Sequence, residues 1–309
     1  MPLLANPRVA AAVATAMQRL GDVATGPVIR RGQQRSGLSF PEYPARTRDL
    51  TIPTSVAPAR TVVYEPAPDG PRPPVYVNFH GGGYVMRGIE LDDPLCRYLA
   101  AEAGAVVVNV DYVVAPRYPF PAPTRQAYEV VQWVAAHGAE QGWAGDRLIV
   151  GGQSAGGGLA AAVARQALDR GGPAIALQVL HYPPLDLATP ARTKRSTIDK
   201  PMLRPWMADV FDNAYVPDPA VRADPLVSPA NPADTADLTG IAPALVITPE
   251  YDLLRAEGER YAQRLGKAGA LLEHRLVPGA DHAYDMRNAA LARDVYGLIA
   301  DRVREVGTA

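Results

Sequence analysis

Apolar residues in this chain fall into two kinds of run. Short continuous blocks have the length and β-branched content of strands buried on both faces: Val75 to Phe79, Ala105 to Val110, Leu148 to Val150, Ile175 to Leu180 and Ala244 to Thr248. Between them lie longer stretches with helical spacing: Pro94 to Ala103, Ala122 to His137, Ala155 to Arg170 and Arg255 to Ala268. Leu271 to Val277 reads as a further strand and Leu291 to Val306 as a closing helix. Upstream, Arg48 to Ile52 and Arg60 to Tyr64 predict two short strands, joined as a hairpin across Pro53 to Pro58. This alternation predicts an α/β protein with a mostly parallel central sheet and helices on both faces.

Two segments break the rhythm. Residues 1–45 combine a helix over about Pro7 to Leu20 with loop signals, Gly26-Pro27 and the polar stretch Arg30 to Ser39. Thr189 to Thr239 carries no strand pattern. It holds Met202, Leu203, Trp206, Met207, Phe211 and Tyr215 at helical spacing, with seven prolines between Pro201 and Pro232. It is too long for an ordinary loop and reads as an inserted helical flap.

Composition narrows the class. A length of 309 residues sets a soft prior of two domains and allows a large core with no disulfide or metal staple. Hydrophobic residues at 48% and charged residues at 20% fit a soluble globule. A net charge of −1 leaves no electrostatic footprint for nucleic acid or an anionic membrane. The single Cys96 excludes an internal disulfide and Cys-rich metal centres. Val9 to Met17 is Ala-rich but lacks the apolar core of a signal peptide, no stretch reaches transmembrane length, and the expected location is cytoplasmic.

The chemistry concentrates in two glycine clusters. Gly152-Gln153-Ser154-Ala155-Gly156 fits G-x-S-x-G between a strand and a helix. The pattern places a serine on a strained turn, with nearly side-chain-free neighbours two residues either side. Chance alone gives about 0.05 such matches in a chain of this composition. The bland reading is that Gly151 to Gly158 only permits close helix–strand packing. His80-Gly81-Gly82-Gly83 follows the strand ending at Phe79. Consecutive glycines let N–H groups turn inward, which suits an oxyanion hole built from Gly82, Gly83 and Ala155. His80 itself reads as a structural residue of that turn.

A serine nucleophile needs a base, and the base an orienting acid. Of the five histidines, His137 ends a helix, His181 ends a strand, and His274 lies within one. His282 follows the last strand, the place of the base in an order of Ser, acid, His. Asp252 lies just past the strand Ala244 to Thr248 and is the candidate acid. Glu250 competes with it; Asp281 reads as a loop-capping side chain.

Together these motifs resemble the hormone-sensitive-lipase-like (bacterial family IV type) esterases of the α/β-hydrolase superfamily, from about Val75 to the C-terminus. Beyond the glycine motifs, Val110-Asp111-Tyr112 with Ala115-Pro116, Pro119-Phe120-Pro121-Ala122, Ser228-Pro229, Asp252-Leu253-Leu254-Arg255 and His282-Ala283-Tyr284 match family blocks in order. Gln153, where the family usually has Asp, departs from it, as do Arg117, Leu253 and Ala283-Tyr284; altered local hydrogen bonding is expected around Gln153.

The resemblance implies an N-terminal cap segment over 1–45 and a catalytic domain over 46–309, with the 189–239 flap above the acyl pocket. It implies a serine carboxylesterase acting through Ser154, His282 and Asp252, with no cofactor and no metal. Met202, Trp206 and Phe211 on the flap suggest a compact apolar pocket and so short- to medium-chain esters; the alternative is that they only fix the flap to the sheet. Tyr84, Met202, Leu203, Trp206, Phe211 and Tyr284 are the expected pocket residues. A small neutral ester is the expected partner, with no nucleic acid or stable membrane association; a homodimer is compatible. An amidase or acyltransferase on the same triad, or a non-catalytic small-molecule binder, are the alternatives. Labelling by a fluorophosphonate is expected, and its absence would favour the binder.

Overall fold

The computed structural model describes residues 4, 6–23, 26–35, 37–43, 46–67 and 72–308. Among these residues eight strands are formed: β1 (Arg46–Ile52), β2 (Ala59–Glu65), β3 (Pro74–Phe79), β4 (Val106–Asp111), β5 (Ala144–Gln153), β6 (Leu177–His181), β7 (Ala244–Pro249) and β8 (Leu271–Val277). They make one sheet in the order β1-β2-β4-β3-β5-β6-β7-β8. β1 and β2 form the expected hairpin, with Ile52 opposite Ala59, and β2 runs antiparallel to β4. All other pairs are parallel.

Side-chain alternation divides the inner strands between two cores. Val75, Val77 and Phe79 of β3 and Val106, Val108 and Val110 of β4 pack on one face. There they meet α4 (Ala122–His137), α5 (Ala155–Arg170) and α7 (Arg255–Lys267). Tyr76, Val107 and Ile149 point to the opposite face, against α3 (Asp93–Glu102) and α8 (Ala289–Thr308). Strands buried on both faces explain why they read as unbroken apolar blocks rather than alternating ones.

The N-terminal segment differs from expectation. α1 runs Pro7–Val23, and a second helix, α2 (Gly26–Arg35), forms where a loop was expected. Gly-Pro reads as a breaker inside a helix, but Pro27 lies in the first turn, where its missing N–H has no intrahelical partner to lose. Between β6 and β7 the chain makes one α-helix, α6 (Pro205–Tyr215), flanked by short 3-10 turns at Ala191–Thr193 and Pro219–Val221. α1 packs against α6, so the two segments that break the alternation meet each other.

The sheet order fixes where a ligand can sit. β3 has β4 on one side and β5 on the other, so chain direction across the sheet reverses there. Connections leaving the carboxyl ends of the two strands part and leave a crevice. Phe79 pairs with Gly152 at that end. The chain then crosses so closely that a Cβ at Gly152 or Gly156 would overlap the Phe79 carbonyl oxygen. Gly156→Ala is expected to lower stability by about 1–3 kcal/mol through this overlap. Urea unfolding measures it, and an unchanged midpoint would contradict the packing described.

Candidate active site

β5 delivers Ser154 to the crevice in a backbone conformation that L-residues rarely adopt, with φ 52° and ψ −121°. Its N–H donates to the His181 carbonyl at 2.8 Å, which ties the turn to the end of β6. The side chain is thereby held above the sheet, at the N-terminus of α5.

His282 and Asp252 arrive from the ends of β8 and β7. His282 Nε2 lies 3.0 Å from Ser154 Oγ, and its Nδ1 lies 2.8 Å from Asp252 Oδ2. The other carboxylate oxygen, Oδ1, accepts the Leu254 N–H at 3.0 Å. Burial disfavours the imidazolium of His282. The Asp252 charge and hydrogen bond, joined by Asp281 and Asp285, outweigh it and raise the pKa above the ordinary value.

The competing residues are placed elsewhere. Glu250 accepts the Gly279 N–H at 2.7 Å and lies outside this chain of bonds. Asp281 accepts the backbone N–H groups of Met202 and His282, a loop-capping role. His137 bonds the Trp133 carbonyl, and His274 the Thr248 hydroxyl. Burial lowers the pKa of His181 to about 4.

The glycine turn stands beside Ser154. His80 is fully buried, stacks on Tyr112 with ring centroids 4.3 Å apart, and bonds the Gly81 carbonyl through Nδ1. Gly82 has φ +123°, open only to glycine without strain, and its carbonyl accepts from Val85 and Met86 N–H groups. Among the described residues, no carbonyl accepts from the N–H of Gly82 or Gly83. Ala155 is the first residue of α5, whose opening N–H groups lack intrahelical partners.

These groups open onto one cavity of about 420 Å³, lined by Gly81, Gly82, Gly83, Ser154 and His282. Of the expected pocket residues, Tyr84, Met202, Leu203 and Phe211 line it. Trp206 and Tyr284 do not. Trp206 is 50% exposed. Met207, Ala208, Phe211 and Asp212 share the cavity-facing side of α6, and the helical period turns position 206 away from it. Tyr284 lies beneath the site, its hydroxyl 2.8 Å from His181 Nε2.

Residues 76–286 match the family model described as alpha/beta hydrolase fold. The chain is 36% identical to the esterase LipI of Mycobacterium tuberculosis, over 84% of its own length and 82% of that protein. The chain belongs to the hormone-sensitive-lipase-like esterases. It is also 32% identical to an ethyl acetate hydrolase of Pseudomonas putida, over 77% of this chain and 74% of that one. An esterase of Pyrobaculum calidifontis superposes with a TM-score of 0.84 at 34% identity, over 96% of this chain and 94% of that one.

In this esterase several cavity residues carry no sequence signal of their own. Met17 and Ile29 come from α1 and α2, Met286 from the turn after His282, and Lys194 and Asp212 from the insertion. The apolar ones fit amphipathic helices whose partner surface is unknown before folding.

Gln153 also finds an explanation. Its Nε2 donates to Asp285 Oδ2, which further accepts the Tyr296 hydroxyl at 3.0 Å, while Oδ1 accepts the Tyr182 hydroxyl at 2.7 Å. Tyr182 in turn packs edge-on against the His282 ring, with centroids 4.9 Å apart. One buried carboxylate thus joins the serine turn, the end of β6, α8 and the histidine loop. An amide at 153 donates to it; a carboxylate there would face it. Gln153→Asp is expected to cost about 3 kcal/mol at neutral pH, as a buried unpaired charge does. The loss should shrink as pH falls and one carboxyl of the pair takes a proton, since its folded-state pKa is raised. Thermal unfolding across pH 5 to 8 measures this, and a pH-independent loss would contradict it.

Among the described residues, no helix is long and apolar enough to cross a membrane.

Proposed function

The protein is a carboxylesterase, and we propose that it works through Ser154, His282 and Asp252 by two-step acyl transfer. The observation that carries this is the chain of hydrogen bonds from Asp252 through His282 to Ser154, at 2.8 and 3.0 Å. As Ser154 Oγ attacks the ester carbonyl, His282 Nε2 takes its proton. Asp252 fixes the imidazole with Nε2 facing the serine and stabilises the imidazolium that forms. The N–H groups of Gly82, Gly83 and Ala155 receive the developing oxyanion, a donor of this kind being worth about 3 kcal/mol. The imidazolium returns its proton to the leaving alcohol. Water, activated by the same histidine, then releases the acid.

A cavity of about 420 Å³ sits near the lower end of the range for small-molecule sites, which supports short- to medium-chain esters as substrates. Its wall is drawn from α1, α2 and the 189–239 insertion as well as from the sheet. In this reading those segments form a cap that excludes water from the acyl-enzyme.

Ser154→Ala is expected to lower kcat by at least about 10⁴-fold on aryl esters of any chain length. Equal rates in the two proteins would refute the proposal. For wild type, kcat/KM should fall with acidification as His282 is protonated. Because its pKa is raised, the inflection is expected above the ordinary imidazole value of about 6.5. A profile flat down to pH 5 would exclude His282 as the base.

A further inference from the structure

The cavity is not apolar throughout. On the side of α1 it is walled by Met17, Met86 and Leu91. On the side of α6 it carries Tyr84, Lys194 and Asp212. Lys194 is committed: its ammonium is buried and pairs with Glu257 at 2.6 Å. Tyr84 is not, and Asp212 feels the Lys194 charge without a hydrogen bond to it. Neither side chain makes a hydrogen bond to any described residue, although Tyr84 is only 4% exposed. Both line the substrate cavity without a hydrogen bond to the described protein, so a ligand there can take one from each.

The position of Tyr84 relative to the nucleophile is set by α5. The Tyr84 hydroxyl rests on Gly158, where any Cβ would overlap it, and beside the Pro184 carbonyl. Gly158 donates its N–H to the Ser154 carbonyl at 3.1 Å, so it lies one helical turn, about 5.4 Å, from the serine. Tyr84 itself follows Gly83 at φ 60° and is stacked on Tyr215 at 3.9 Å, which fixes the direction of its hydroxyl. The niche is therefore within a few atoms of a carbonyl held at Ser154.

Resting on the carboxylesterase reading, we propose that the preferred ester carries a hydroxyl group a few atoms from the scissile carbonyl, held between Tyr84 and Asp212. A hydroxyl is the group that fits both: it accepts from the phenol and donates to the carboxyl. Burial pushes Asp212 up to about 7, with Lys194 easing the cost and Glu257 adding to it. A donor from the substrate would relieve the carboxylate further.

The test uses two matched pairs of esters on the purified full chain. One pair is p-nitrophenyl β-hydroxybutanoate against p-nitrophenyl butanoate, with the hydroxyl on the acyl side. The other is the monoacetate of ethylene glycol against ethyl acetate, with the hydroxyl on the alcohol side. The quantity read is the ratio of kcat/KM for the hydroxyl ester to that for its plain partner, within each protein, so losses common to both substrates cancel. In at least one pair that ratio is expected to fall by about three-fold or more on going from wild type to Asp212→Leu. A smaller change in both pairs overturns the proposal. If Asp212→Leu does not fold, Tyr84→Phe carries the same criterion. Survival of hydrolysis in Ser154→Ala would strike the triad alone, because the ratios do not depend on which nucleophile acts.

Discussion

The close approach of the Phe79 carbonyl to Gly152 and Gly156 is the constraint on which the rest of the site depends. It brings the end of β3 against the start of α5 with no side chain between them. Only at that spacing can the glycine turn and the serine turn share a cavity. The strained backbone of Ser154 follows from the same contact. The strand must reverse within one residue to start a helix that is already touching its neighbour, and the His181 carbonyl holds the turn there. Strain of this kind persists only where the surrounding structure over-determines it. Here two strands and a helix do so.

Around that fixed point the electrostatics are divided by depth. Asp252 and His282 are linked directly, and His282 faces the cavity. Behind them Asp285 collects donors from Gln153, Tyr182 and Tyr296 and touches the substrate space only through its partners. Its carboxylate adds to the negative potential that favours a charged His282, while Tyr182 braces the imidazole from the side. His282 is thus tuned from two distances, by a bonded acid and by a remote one. The remote acid sits on the histidine loop, three residues past His282.

Much of this was legible in the chain. The inner strands stood out because burial on both faces leaves no polar positions in them, and the two glycine motifs because close backbone approach tolerates no other residue. Asp252 and His282 followed from their place after strands. The failures share a physical origin. α2 was hidden because Gly-Pro looks the same at the start of a helix as in a turn. Trp206 lies in the flap and Tyr284 beside His282, but spacing does not say which face meets the pocket; the period of α6 turns the first outward, and the second bonds His181. Lys194, Asp212 and Asp285 gave no signal, because the worth of a charge depends on neighbours brought from tens of residues away.

The packing of α1 on α6 has a consequence for how this molecule can change. Neither helix belongs to the sheet, yet Met17 from one and Phe211 from the other help enclose the same space. Variation in the first helix and in the central insertion is therefore not independent. A larger side chain on one must be answered by a smaller one on the other, while the strands beneath need not respond. New substrate ranges can accordingly arise by paired drift at the rim, leaving the serine turn as it is.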